Sequence, residues 1–201
     1  MQWTLHPAGD RGSLVVVPDA TAAWLRAAAE RVRACDGVEA CIIGESSLLV
    51  IGGGSSWQPA LSFDATSDVA APRVHRIAVS FAPQHALDLD EVLARINVTL
   101  EVFIERMRGL RLTVRYLGFR AGFGYLEGWP AEWSVPRRPT SRTRVPRGSF
   151  SIAGARAGFY PIDSPGGWNI LGKTDAPLWD PWREPPNLFA PGDVIELEVI
   201  E

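Results

Sequence analysis

Four arginines, Arg137, Arg138, Arg142 and Arg144, fall within eight positions of a 201-residue chain, with Pro136, Pro139 and Pro146 among them. Gly148, Gly154, Gly158, Gly166 and Gly167 then punctuate short β-branched or aromatic runs. Proline removes a backbone donor and glycine leaves the chain too free for a helix. The stretch 136–174 therefore reads as short strands and tight turns that present cations, hydroxyls and backbone N–H groups together. That set suits a carboxylate, carbamoyl or phosphate ligand, because guanidinium forks and turn amides both bind oxyanions. On an extended segment alternate residues share a face. Arg138, Arg142 and Arg144 form one set, and Arg137 points elsewhere unless a turn at Pro139 intervenes. With Lys173, the even-numbered set is expected to line an anion pocket; the plain alternative is a solvated basic loop. Tyr125, Tyr160 and Trp168 could wall such a pocket, with Gly166 and Gly167 bringing their amides close. Phe123 reads better as core.

Other chemistry is less well supported by the residues. Residues 167–174 (GWNILGKT) satisfy the P-loop pattern G-x-x-x-x-G-K-[ST]. That motif works only between a buried strand and a helix whose N-terminus faces the phosphates. Here a Ser-Pro-Gly turn precedes it and a proline-rich segment follows, so a Walker site is rejected. His6, His75 and His85 have no nucleophile or metal partner at a recognisable spacing, and structural roles are expected. Ser149, Ser151 and Ser164 sit in no nucleophile elbow. Cys35 and Cys41 are the two cysteines and read as reduced thiols. A net charge of -3 argues against nucleic acid as a partner. No apolar run approaches a membrane span. The N-terminus MQWTLHPAGDR lacks a basic region followed by an apolar stretch, so a cytoplasmic location is expected.

The elements that must position these residues follow from periodicity. Residues 14–17 read as a strand. Residues 20–35 read as a helix, with Trp24, Leu25, Ala28, Val32 and Cys35 on one face, Asp19 as cap and Gly37 as stop. Residues 38–43 and 47–51 read as strands joined by a turn at 44–46. Together they make a small α+β N-terminal domain over 1–72, whose stretch from Gly52 to Pro72 reads as a flexible connector. A second domain occupies 73–201. It starts with a strand at 74–81. Asp88 and Glu91 have capping-box spacing before an apolar periodicity that runs to Met107 and stops at Gly109. Periodicity alone allows one helix over 89–108. Alternation marks strands at 110–116 and 194–200. The remainder is β and loop, which suggests a barrel or sandwich, with 175–191 wrapping a surface pinned by Trp179 and Trp182.

The residues Gly118, Phe119, Gly122, Phe123, Tyr125 and Leu126 make one motif. Pro136 to Pro146, Gly148-Ser149, Tyr160-Pro161 and Ser164 to Trp168 make the others. In these motifs the chain resembles the family of allophanate hydrolase subunit 1, also known as the B subunit of 5-oxoprolinase. That family includes the carboxyltransferase region of urea carboxylase and a bacterial sporulation-kinase inhibitor. The resemblance implies a cyclophilin-like β-barrel as the C-terminal domain, and two short helices over 89–108 with a turn near Asn97-Val98-Thr99. It implies a component of an ATP-dependent 5-oxoprolinase that opens 5-oxoproline to glutamate with a subunit-2 partner, the C-type subunit of that enzyme. ATP is then used by the assembled complex, with no cofactor bound by this chain alone. The substrate is expected to be a small anion or cyclic amide. An allophanate or urea carboxylase type carboxyltransferase component is the alternative, as is a non-catalytic binding protein such as the kinase inhibitor. The proline-rich stretch with Trp179, Trp182 and Phe189 is the expected partner surface. The sequence departs from the family pattern at 82–87, at Met107 where a His is expected, and at Ala121.

Overall fold

The chain opens with a hairpin that no alternation announces: Thr4–Ala8 (β1) pairs antiparallel with Gly12–Val16 (β2). Four of the five β1 residues are exposed, so an edge strand carrying Pro7 leaves no period-two burial pattern to read. The helix Ala22–Arg33 (α1) and the strands Val38–Ile43 (β3) and Ser47–Gly52 (β4) complete an antiparallel sheet in the order β1-β2-β4-β3. Helix α1 packs on β3 and β4 through buried Trp24, Leu25, Ala28 and Val32. Burying each large aliphatic residue contributes about 1.5–3 kcal/mol. The cap is Thr21, whose Oγ1 accepts from the Trp24 N–H at 3.1 Å. Asp19 instead sits in the turn that closes with Ala20 N–H donating to Val17 C=O at 3.1 Å. The Gly52-Gly53-Gly54 run is not a loose connector. All three glycines have positive φ, and the chain turns onto Trp57, which is fully buried and donates its indole N–H to Gly54 C=O at 2.8 Å.

The computed structural model describes residues 2–63 and 71–200, in two compact units, Met1–Arg73 and Val74–Glu201. The second unit holds the strand Val74–Ser80 (β5), the helices Leu89–Ile96 (α2) and Leu100–Arg108 (α3), and the strands Arg111–Leu117 (β6) and Gly124–Glu127 (β7). There follow Arg142–Val145 (β8), Ser149–Ala153 (β9), Arg156–Phe159 (β10), Ser164–Gly166 (β11), Asn169–Lys173 (β12) and Val194–Ile200 (β13). Seven strands close a mixed barrel in the order β10-β7-β6-β13-β5-β12-β9, and β8 with β11 forms a separate two-stranded ribbon. The β5–β13 pair is parallel. The fold is thus α+β, a four-stranded sheet with a helix followed by a seven-stranded barrel.

Two helices stand where periodicity allowed one. Asn97 turns left-handed (φ 55°) at the end of α2, and Thr99 caps α3 by accepting from the Val102 N–H at 3.4 Å. Met107 is fully buried on α3. Phe103 on the same helix stacks on Trp133 at 5.8 Å and meets Phe81 edge-on at 5.3 Å. The proline-rich segment is pinned by Leu178 and Phe189, both buried, whereas Trp182 is 94% exposed. Its end is fixed by buried Asp193, which accepts from His75 Nε2 at 2.8 Å and from the Ala190 N–H at 3.0 Å. His75 thus has a structural partner.

Asp88 occupies the expected cap position of α2, but its side chain makes no cap bond. The carboxylate is 4% exposed and is claimed elsewhere. Arg142 grips it with two nitrogens, at 2.9 and 2.7 Å. Arg138 donates at 2.6 Å and the Ile170 backbone N–H at 2.7 Å. In return the Asp88 N–H donates to Ile170 C=O at 2.9 Å. One residue ties the start of α2, the arginine segment and β12.

Two outcomes follow. Asp88→Asn leaves partly buried Arg142 without its counter-charge and Arg138 with only the exposed Glu91, 3.6 Å away. Removing one member of a buried ion pair costs about 3–5 kcal/mol, and the loss here falls near the low end because Arg138 and Arg142 are 29% and 25% exposed. Arg144→Ala, on a surface pair, should cost under about 1 kcal/mol. Urea unfolding of both variants measures the contrast. In the first unit, burial pushes the Cys41 thiol up to about 11, against the nearby Arg33 charge. A folded pKa above the unfolded value contributes stability that is complete below the unfolded value and is lost as pH rises toward 11. At pH 8, iodoacetamide should label half-buried Cys35 and spare Cys41 until denaturant is added, as read by mass spectrometry of the peptides.

Candidate functional site

Between the ribbon and the turn that links β6 to β7 lies a pocket of about 320 Å³. Its walls are aromatic. Phe123, buried in the turn before β7, is the hub: Phe119, Tyr125, Tyr160 and Trp168 all meet it edge-on at 5.0 to 5.5 Å. Such geometry sets the positive ring edge against the negative face. Tyr125 also stacks on Tyr116 at 4.4 Å. Phe119 holds a left-handed backbone at φ 63°, a strained conformation for a bulky side chain. Local bonds keep it there: Arg120 N–H donates to Gly118 C=O at 2.7 Å and Phe123 N–H to Arg120 C=O at 3.0 Å. Phe119 is half exposed at the rim, with the Arg120 guanidinium 5.5 Å from its ring centroid.

The polar groups come from the arginine segment and from β11 with the turn after it. Arg137, Ser141, Gly166 and Gly167 line the pocket beside Tyr160. A Cβ on Gly166 would collide with the Tyr160 phenol oxygen, and one on Gly167 would come 2.8 Å from Ser141 Oγ. These two positions are bare so that the phenol and the hydroxyl can approach the backbone. Burial pushes the Tyr160 phenol above its usual range, against the Trp168 backbone N–H and the Arg137 and Arg142 charges. Tyr125 is raised the same way, against Arg137. Both phenols are therefore protonated at neutral pH. Arg137 is exposed and forms no ion pair among the described residues.

Of the residues singled out from the sequence, Tyr125, Tyr160, Gly166 and Gly167 come together in this pocket. The arginines divide. Arg138 and Arg142 converge on Asp88. Arg144 is 77% exposed and holds Asp163 at 2.6 Å. That carboxyl is kept below its usual range by the Arg147 backbone N–H and by Arg144. Lys173 lies 3.6 Å from Asp175. Arg137 is the arginine that lines the aromatic pocket. The chain bends at Pro139-Thr140, which is the exception under which Arg137 was not expected to point elsewhere. A turn at Pro139 was the signal that could have found it; Ser141 and the strained Phe119 carried none.

Residues 167–174, which match the P-loop pattern, are the turn into β12, β12 itself and one residue beyond. Strand β12 pairs with β9, and no helix follows it in the element order. Ser80 Oγ lies 3.1 Å from His85 Nδ1 and also accepts from the Ala82 N–H at 3.3 Å, which closes the loop over 82–87. Among the described residues no three His, Cys, Asp or Glu side chains come together to hold a metal ion. None of the described helices is long and apolar enough to cross a membrane. A larger trough of about 760 Å³ runs along α3 past Glu101, Val102 and Glu105. It lies apart from the aromatic cluster and the arginine segment, so the smaller pocket is the better candidate.

The chain has relatives among known proteins. The model of the carboxyltransferase domain, subdomains C and D, matches residues 3–189. The chain is 40% identical over 123 residues to the 5-oxoprolinase B subunit of Haemophilus influenzae, covering 61% of this chain and 58% of that protein. It is 38% identical over 125 residues to the 5-oxoprolinase B subunit of Bacillus subtilis, covering 62% of this chain and 52% of that protein. It thus spans little more than half the length of these curated relatives. Among solved structures, that of TTHA0988 superposes with a TM-score of 0.80 at 30% identity, over 95% of this chain and 40% of that one. The urea carboxylase of Kluyveromyces lactis shares the fold, with a TM-score of 0.70 at 17% identity, over 99% of this chain and 22% of that one. The chain belongs to the carboxyltransferase domain family, subdomains C and D.

Proposed function

We propose that the chain is the B-type component of an ATP-dependent 5-oxoprolinase, which opens 5-oxoproline to glutamate, and that the aromatic pocket holds the substrate. The observation that carries this reading is Arg137, without an ion-pair partner among the described residues, at the rim of a pocket walled by Phe123, Tyr125, Tyr160 and Trp168. 5-Oxoproline is a small lactam ring with one carboxylate. The ring's apolar edge suits the aromatic walls, and the carboxylate suits a guanidinium fork. Ser141 and the protonated Tyr160 supply groups able to pair with the lactam amide. The similarity to two proteins named as the B subunit of 5-oxoprolinase supports the substrate class. ATP and a subunit-2 (C-type) partner belong to the assembled enzyme. Trp182, almost wholly exposed on the proline-rich segment, is the side chain best suited to anchor that partner. Carboxyl transfer from carboxybiotin is the second reading, favoured by the family's description.

The test is calorimetric titration of 5-oxoproline, and turnover in the complex co-expressed with its subunit-2 homologue. A charge-assisted contact contributes about 1.5–3 kcal/mol, so Arg137→Ala should weaken binding roughly 10- to 100-fold. Gly166→Ala should weaken it as well, by displacing the Tyr160 ring. Arg144→Ala should leave binding unchanged. If Arg137→Ala matches the parent protein, the pocket assignment fails. Turnover that requires biotin and bicarbonate instead of ATP and 5-oxoproline selects the second reading.

A further inference from the structure

We propose that a second cleft, which shares Arg137 with the aromatic pocket, is a binding site for a phosphate-class oxyanion. The cleft holds about 230 Å³ between α2 and the start of the arginine segment. Arg95 from the last turn of α2, Arg137 and Arg138 line it, with Glu91 as the carboxylate on its wall. Glu91 is 74% exposed and sits 3.6 Å from Arg138. The charge is therefore unbalanced. Asp88, the other carboxylate near Arg138, is already shared with Arg142 and the Ile170 N–H. Neither Arg95 nor Arg137 forms an ion pair among the described residues. Three guanidiniums around one cleft repel each other, and a bound anion removes that repulsion.

A second observation is independent of charge. The Nε–H of Arg138 is buried and has no hydrogen-bond partner. Buried donors in folded proteins are nearly always satisfied, and an exception calls for a group that completes it. The wall is also fixed in place: Asn169, buried at the mouth of β12, donates its amide to Pro136 C=O at 3.0 Å.

The arrangement selects the class of anion. A carboxylate offers two oxygens in one plane, which a single guanidinium fork satisfies. Here the guanidiniums arrive from a helix and from two adjacent positions of an irregular segment, so one flat carboxylate fork cannot engage them all. A tetrahedral oxyanion presents oxygens in more than one plane and can meet all three. The two sites share Arg137, whereas Arg95 and Arg138 line this cleft alone, so the proposal does not require the aromatic pocket to hold 5-oxoproline.

The test titrates inorganic phosphate into the full chain at low ionic strength, followed by calorimetry and by the Arg138 Nε–H resonance in a nitrogen–proton correlation spectrum. Saturable one-to-one binding that shifts this resonance is expected. Arg95→Ala, which removes an exposed side chain, should weaken binding roughly tenfold, and Arg144→Ala, outside the cleft, should not. A parallel arm uses glycerol phosphate. Binding with the same dependence on Arg95 shows that the site accepts phosphate esters, and binding of phosphate alone shows that it takes the free ion. No saturable binding beyond sodium chloride of equal ionic strength overturns the proposal. So does acetate binding as tightly as phosphate, or equal losses in Arg95→Ala and Arg144→Ala. Because 5-oxoproline binding is read with Gly166→Ala, failure of the cleft and failure of the pocket are told apart.

Discussion

One buried carboxylate holds the working face of the barrel unit together. Asp88 meets Arg138 across 50 positions of sequence and the Ile170 N–H across 82. Burying a charge is costly unless every lone pair is engaged, and here four hydrogen bonds engage it. A neutral packing of similar volume often matches such a pair in stability, so its value lies in position as much as in energy. It sets where α2 begins, where the arginine segment lies and how β12 runs past both. Asp88 also decides which arginines remain available. It takes both terminal nitrogens of Arg142 and one of Arg138 into the framework and leaves Arg137 at the rim.

That sorting explains which parts of the molecule could be read from the sequence. The barrel unit's strands with alternating burial were legible, as at β5 and β13, because one face of each is core. So was the break between α2 and α3, once the motifs pointed to the family: Asn97 and Thr99 are good turn and cap residues. Strand β1 was not legible, because an exposed edge strand shows no periodicity. The cap expected of Asp88 failed for a different reason. Its local role is a weak hydrogen bond to a nearby N–H, and two guanidiniums far away in sequence outcompete it. The glycine run at 52–54 looked flexible by composition, but a buried Trp57 makes it a fixed turn.

The candidate site was legible by type and not by position. Arginine, glycine and tyrosine in the company of proline pointed to a pocket, and Tyr125, Tyr160, Gly166 and Gly167 line the same cavity. Which arginine joins them could not be taken from alternation alone, because the chain bends at Pro139-Thr140. Alternation is an argument about straight strands. It fails wherever a proline interrupts the extended backbone, and the arginine segment does not become a strand until Arg142.

The magnitude of one charge at this pocket shows what the surroundings must do. Two unit charges 4 Å apart attract by about 1 kcal/mol in water and about 4 kcal/mol at the effective dielectric of a protein surface. Arg137 is exposed, so an open pocket keeps its attraction toward the lower figure. The aromatic walls raise it by excluding water on one side. Phe119 joins these walls, strained and half exposed, edge-on to Phe123 and Tyr160. A side chain held in a costly backbone conformation at a pocket rim is the arrangement expected where shape is fixed for a ligand rather than for the core. Under the proposed reading one guanidinium alone does not tell one carboxylate from another, so shape and the protonated phenols have to do so. The physical division is one of frame and rim: Asp88 fixes the frame, Arg137 stands exposed at the pocket, and the rings around Phe123 form its walls.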